Sequence, residues 1–178
     1  MTIEETVGWV QDTFEGHLFT DDPVDTGGAT RHGITQRTYQ YWETKYGSGG
    51  TITKADVRSL SPERAVQVGV DVFAKETRID RISDWRVRLL TYDFAFHSGE
   101  AAAVKALQRC LGVETDGKIG QKTLTASATQ PPFQTALRLL TTREEFLQEL
   151  IDRKPSQRRY LFGWWKRTTK LQHVIAFS

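Results

Sequence analysis

Asp84-Trp85-Arg86-Val87-Arg88-Leu89-Leu90-Thr91-Tyr92-Asp93-Phe94-Ala95-Phe96-His97-Ser98-Gly99 is the most apolar stretch of the chain. Trp85, Leu89, Tyr92 and Phe96 share one face at helical spacing, while Val87, Leu90 and Phe94 fill much of the remainder. A helix that is apolar nearly all round must be enclosed by other elements, so this segment reads as the central helix of a helical assembly. Asp84 provides the start and Ser98-Gly99 the break.

Outward from that segment the helical period recurs. Upstream, Ser61-Pro62-Glu63 opens a helix with Val66, Val70 and Phe73 as its stripe. Thr35 opens one that carries Tyr39, Trp42 and Tyr46 and closes at Gly47. Thr2 and Glu5 form a capping-box pattern ahead of Ile3, Val7, Val10 and Phe14, and Gly16 ends that run. Downstream, Val104, Leu107 and Leu111 mark a helix ending at Gly112, and Leu124 with Ala128 a short one. After Pro131-Pro132, Leu140, Leu147 and Ile151 mark a long helix that must stop by Pro155. A last one holds Tyr160, Trp164 and Trp165. Only residues 16–34 depart from the period, with Gly, Pro and three Asp, and they read as an irregular segment or a short β-hairpin. The fold class is therefore all-α with a minor hairpin, and no internal repeat is visible.

The 178 residues carry 24 Lys and Arg against 22 Asp and Glu, but the charge is uneven. Residues 153–178 contain seven basic side chains (Arg153, Lys154, Arg158, Arg159, Lys166, Arg167 and Lys170) and no acidic one. Such an end suits an anionic polymer or surface, or is simply a solvated face. A single cysteine, Cys110, excludes an intramolecular disulfide framework and reads as a small buried hydrophobe. No run approaches the ~20 apolar residues of a membrane span. Met1–Thr13 lacks the basic start and apolar core of a signal peptide. The expectation is a protein made in the cytoplasm, whose export to any external substrate depends on another agent.

Glu15 is the candidate with chemistry. It ends the first helix, where the backbone carries partial negative charge and disfavours a second negative charge. The protonated carboxyl so favoured is what general-acid cleavage of a glycosidic bond requires. A glycosidase also needs a group on the opposite sugar face, and Asp21, Asp22 and Asp25 follow within ten residues, with Thr30 beyond them. A calcium loop starting at Asp21 would need an acid at its twelfth position, where His32 stands. His17 and His32 have no third ligand at zinc spacing, so neither metal nor cofactor is expected.

These residues carry a resemblance. Glu15-Gly16-His17, then Asp22-Pro23-Val24-Asp25, then Gly27-Gly28-Ala29-Thr30-Arg31-His32-Gly33-Ile34-Thr35 resembles the signature of glycoside hydrolase family 108, with His17 in place of that family's second glycine. Asp93 to Gly99, Ala103-Val104-Lys105 to Leu107-Gln108, Leu111-Gly112-Val113, Asp116-Gly117-Lys118-Ile119-Gly120 and Thr123-Leu124 resemble the predicted peptidoglycan-binding region that follows it. Gly163-Trp164 with Arg167 resembles its closing motif. The resemblance implies a lysozyme-like fold, with a catalytic part at 1–92 and a peptidoglycan-binding region at 93–178 packed into the same globular unit. It also implies cleavage between N-acetylmuramic acid and N-acetylglucosamine by a monomeric phage or prophage endolysin, released to the wall through a holin-like route.

The family's acid falls on Glu15. Asp22 and Asp25 compete for the second role, and a Glu-to-Thr spacing like that of phage-type lysozymes favours Asp25 with Thr30. Asp22, His32, Gln36, Tyr92 and His97 complete the candidate sugar-contacting set, although aromatic residues at helical spacing are more often core. Two other readings remain: a lytic transglycosylase, which needs no second carboxylate, and a non-catalytic wall-binding or secretion-accessory protein. No helix-turn-helix or zinc signature supports a nucleic-acid partner.

Overall fold

The structure, a computed structural model, describes residues 1–22 and 27–177. It is helical apart from one two-stranded hairpin, and it has the lysozyme-like all-α architecture expected. The chain divides into two compact units, Met1–Asp80 and Arg81–Ser178.

In the first unit, α1 (Ile3–Val10) begins with the capping box: the Thr2 hydroxyl accepts from the Glu5 amide, and the Glu5 carboxylate accepts from the Thr2 amide. Val7 and Val10 are wholly buried. The helix then widens into a π turn, Gln11–Glu15, closed by the Gly16 amide donating to the Gln11 carbonyl at 3.2 Å. Gly16 leaves at φ 67°, a conformation open to glycine. Strands β1 (Thr30–Arg31) and β2 (Ile34–Thr35) pair antiparallel across His32-Gly33. Both turn residues have positive φ, 53° and 73°, as a two-residue hairpin turn matched to strand twist requires. Thr35 then caps α2 (Gln36–Tyr46) by accepting from the Thr38 amide.

A five-residue helix, α3 (Lys54–Arg58), carries its own capping box from Thr53 and Asp56. Helix α4 (Pro62–Gly69) passes into a second π turn, Val70–Lys75. Of the expected stripe, Val70 is buried while Val66 and Phe73 are half-buried; Ala65, Val68, Val72 and Ala74 complete the buried apolar set, and Phe73 falls within the π turn, where the helical period changes. Asp71 is buried there, accepting from the Trp42 indole at 2.9 Å and from Lys75 at 2.8 Å, which ties α2 to the turn.

In the second unit, α5 (Trp85–Ser98) starts on the Asp84 carboxylate, which accepts from the amides of Arg86 and Val87. Residues 89–95 are all buried, as a central helix demands, with α6 (Glu100–Leu111) and α8 (Pro132–Arg153) packed against it. Gln108 of α6 organises the following loop, donating to Asp116 Oδ1 at 2.7 Å and to the Lys118 carbonyl at 2.9 Å while accepting from the Gly117 amide. Helix α7 (Gln121–Thr129) leads to α8, and a 3-10 turn, Pro155–Tyr160, leads to α9 (Leu161–Phe177). Cys110 is buried, and burial pushes its thiol pKa up.

The carboxylate of Asp93, wholly buried in the middle of α5, is clamped by Arg143 of α8 and by Arg167 of α9, whose Nε and Nη2 lie at 3.0 and 2.8 Å from Oδ1. Burial alone would push that carboxyl up, but the two guanidiniums outweigh it and hold it below the usual range. So Arg167, which the sequence places in a basic tail, is structural rather than part of a solvated face.

Candidate active site

Glu15 is half-buried at the last position of the α1 π turn. The turn that carries it is held by residues just before it. Buried Gln11 donates its side-chain amide to the Ala65 carbonyl of α4 at 3.1 Å, and Trp9 meets Phe14 edge-on at 5.4 Å, the i to i+5 contact of a π turn. Single π turns inside α-helices are frequent at functional sites, because the extra residue re-aims the side chains that follow.

Beyond Glu15 the chain doubles back on itself. The Thr20 amide donates to the Thr30 carbonyl at 2.9 Å and the Thr30 amide to the Thr20 carbonyl at 2.8 Å. Three residues earlier, His17 meets His32 at 3.2 Å between their Nδ1 atoms. Segments 17–20 and 30–32 therefore run side by side, and the intervening acidic loop is closed at its base. Two Nδ1 atoms can bond only if one is protonated and the other bare. Burial, then the positive charge of Arg31, hold the His32 pKa below 6.5.

Of the acidic candidates, Asp21 pairs with Lys54 at 2.8 Å and Asp22 is exposed in the loop. Asp25 lies outside the described residues. Thr30 is half-buried, its hydroxyl donating to the Gly28 carbonyl at 3.3 Å. Gln36 donates to the Ile52 carbonyl at 2.8 Å, and its backbone amide to the Ala29 carbonyl at 2.7 Å. Its side chain thus holds the loop's return, beside Gly28, where an added Cβ would lie 3.3 Å from the Gln36 Oε1. Under the loop, Ala29, Ile52 and Val57 form a small core against which Phe19 and Tyr39 pack.

Two members of the sugar-contacting set have little surface to offer. His32 is 3 % exposed, and Tyr92, stacked on Phe96 in the second unit, is 0 % exposed. For Tyr92 the structure shows the core placement that aromatic residues at helical spacing usually adopt. His97, also in the second unit, lines a cleft; its Nδ1 lies 2.8 Å from the Ser98 hydroxyl, and burial followed by the charges of Arg143 and Arg167 depresses its pKa to about 4. Sequence reasoning passed over two features. One is the partnership of His17 with His32, which spacing alone does not reveal. The other is Arg143, whose signal was a cation on the apolar stripe between Leu140 and Leu147.

The profile of the Glycosyl hydrolase 108 family matches residues 10–99, which hold Glu15, the closed acidic loop and the hairpin. The chain belongs to that family. A second profile, described as a Predicted Peptidoglycan domain, matches residues 102–169. Among solved structures, this family member is similar to SagA of Brucella abortus, with 31% sequence identity and a TM-score of 0.78 over 98% of this chain and 93% of that one. No curated protein matches it significantly. A glycosyl hydrolase part followed by a peptidoglycan domain makes the chain a peptidoglycan hydrolase.

Proposed function

We propose that the bond cleaved is the one between N-acetylmuramic acid and N-acetylglucosamine, and that Glu15 is the general acid. The observation that supports this most is the antiparallel closure of residues 17–20 on 30–32, which sets a hydroxyl-bearing, acid-rich loop against the segment that Glu15 heads. In this reading Glu15 gives its proton to the glycosidic oxygen as the C1–O bond breaks. Water attacks C1 and passes its proton to a loop carboxylate, Asp25 or Asp22, while Thr30 orients that water. A carboxyl separation of roughly 6.5–9.5 Å leaves room for that water and makes the reaction inverting; at about 5–5.5 Å the loop carboxylate would instead attack C1 itself as the leaving oxygen takes the Glu15 proton, and water, deprotonated by Glu15, would then release the sugar with retention.

Mass spectrometry of purified peptidoglycan after digestion tests the proposal. Products with N-acetylmuramic acid at the reducing end support it; reducing-end N-acetylglucosamine or anhydromuramic products overturn it. The likeness of the Glu15–Thr35 stretch to phage lytic enzymes supports a role as a monomeric endolysin that reaches the wall through a holin-like route. On that reading, expression in bacteria lyses cells only when a membrane-hole-forming protein is co-expressed.

A further inference from the structure

The second unit carries a cleft of about 440 Å³ between α8 and the segment entering α9, lined among others by His97, Gln157, Tyr160 and Trp164. A second cleft of about 320 Å³ shares Leu147 and Trp164 with the first and adds Glu144, Gln148 and Trp165. Because Leu147 and Trp164 line both, the two clefts lie side by side as one grooved surface, with the Trp164 indole bordering each. Tyr160 lies 6.1 Å from Trp164 and is 44% exposed, and Trp165 is 60% exposed. A tryptophan that serves only to anchor a helix would be covered; here Trp165 is not. Lys154, Arg158, Arg159 and Lys166 are exposed along the same stretch of chain.

We infer that this groove between α8 and α9 is a second peptidoglycan-holding site, built wholly from residues of the second unit. Its ligand class rests on the assignment of the chain as a peptidoglycan hydrolase. The chemistry matches feature by feature. Flat aromatic faces suit the apolar faces of pyranose rings. The Gln157 amide, the Glu144 carboxylate and the side-chain carbonyl of Gln148, whose Nε2 donates to Asp152 at 3.0 Å, suit acetamido groups and hydroxyls, and a small number of polar groups in an apolar cleft is the usual form of a specific site. The exposed cations suit the carboxylates of the stem peptides. An anionic membrane would account for the aromatic residues and the cations, but it would leave a groove walled by Gln and Glu side chains without a use.

The test uses the full-length chain with Glu15→Gln, incubated with purified sacculi and sedimented. It is compared with the same chain also carrying Tyr160→Ala and Trp165→Ala, two exposed positions, with folding checked by circular dichroism. The groove predicts an apparent affinity for sacculi at least about tenfold weaker, equivalent to ~1.4 kcal/mol, and loss of the tryptophan fluorescence change on adding soluble disaccharide-peptides. Unchanged sedimentation overturns the inference. So does a loss confined to phosphatidylglycerol vesicles, which would make the surface a membrane-docking one. Because the Glu15→Gln chain is not asked to cut, failure of the groove shows in sedimentation, whereas failure of the muramidase proposal shows in the digestion products.

Discussion

A carboxyl that works as a proton donor is tested by removing its proton and keeping its shape. Glu15→Gln should lower kcat on sacculi by about 10²–10⁴-fold while the melting temperature stays within a degree or two, since a half-buried position at a helix end contributes little packing. An unchanged kcat would reassign the acid. Asp93 predicts the opposite pattern. Asp93→Ala leaves the guanidiniums of Arg143 and Arg167 buried without their counter-charge, and breaking such a pair costs about 3–5 kcal/mol, measurable by denaturant unfolding.

The buried imidazoles give a pH dependence. His97 is held at about 4 and His32 below 6.5, so both native rings refuse a proton that the unfolded chain accepts. Above pH 6.5 neither matters. Their stabilisation is lost as pH falls from about 6.5 toward 4, on the order of 2–3 kcal/mol for His97 alone. His97→Gln should flatten the stability profile in that window, and a profile as steep as that of the parent chain would show that another group titrates.

At the scale of elements, legibility tracked periodicity. The central helix could be read because it is apolar on every side, and the Thr2–Glu5 cap because both partners are local. The π turns could not. They insert one residue into a continuing helix, so a 3.6-residue pattern drifts off the buried face within them, as at Phe73, which is half-buried while Val72 and Ala74 beside it are buried. Helix α3, five residues long, is too short to show a period and goes unread in the sequence; its Thr53–Asp56 capping box is a finding of the structure. The hairpin lacked alternation, and although Gly33 signals a turn, His32 at positive φ does not. Within the candidate site, Glu15 and Thr30 could be picked out by residue type and spacing; the His17–His32 contact joins side chains fifteen positions apart and needed the fold. The π turn at Gln11–Glu15 is itself testable. Deleting exposed Thr13 would restore α-helical register and swing Glu15 by about 100°, so activity should disappear while the helical signal in circular dichroism persists.

Across the whole molecule, the family profiles and the compact units divide the chain at different places. The Glycosyl hydrolase 108 match runs to residue 99, yet the second unit begins at Arg81. Helix α5 thus lies under the first profile while its side chains form the centre of the second unit. A fragment starting at residue 102 would lack that centre, exposing the faces of α6 and α8 and stranding Arg143 and Arg167. It should give no cooperative thermal transition, whereas one starting at Arg81 should.

The ion cluster on Asp93 bears on how such enzymes can be recombined. One carboxylate contributed by the hydrolase profile neutralises two cations contributed by the wall-binding profile, so a graft spliced at the boundary between the profiles would separate charges that folded together. Chimeras that exchange wall specificity between relatives should be joined ahead of residue 81, carrying Asp93 along with both of its arginines.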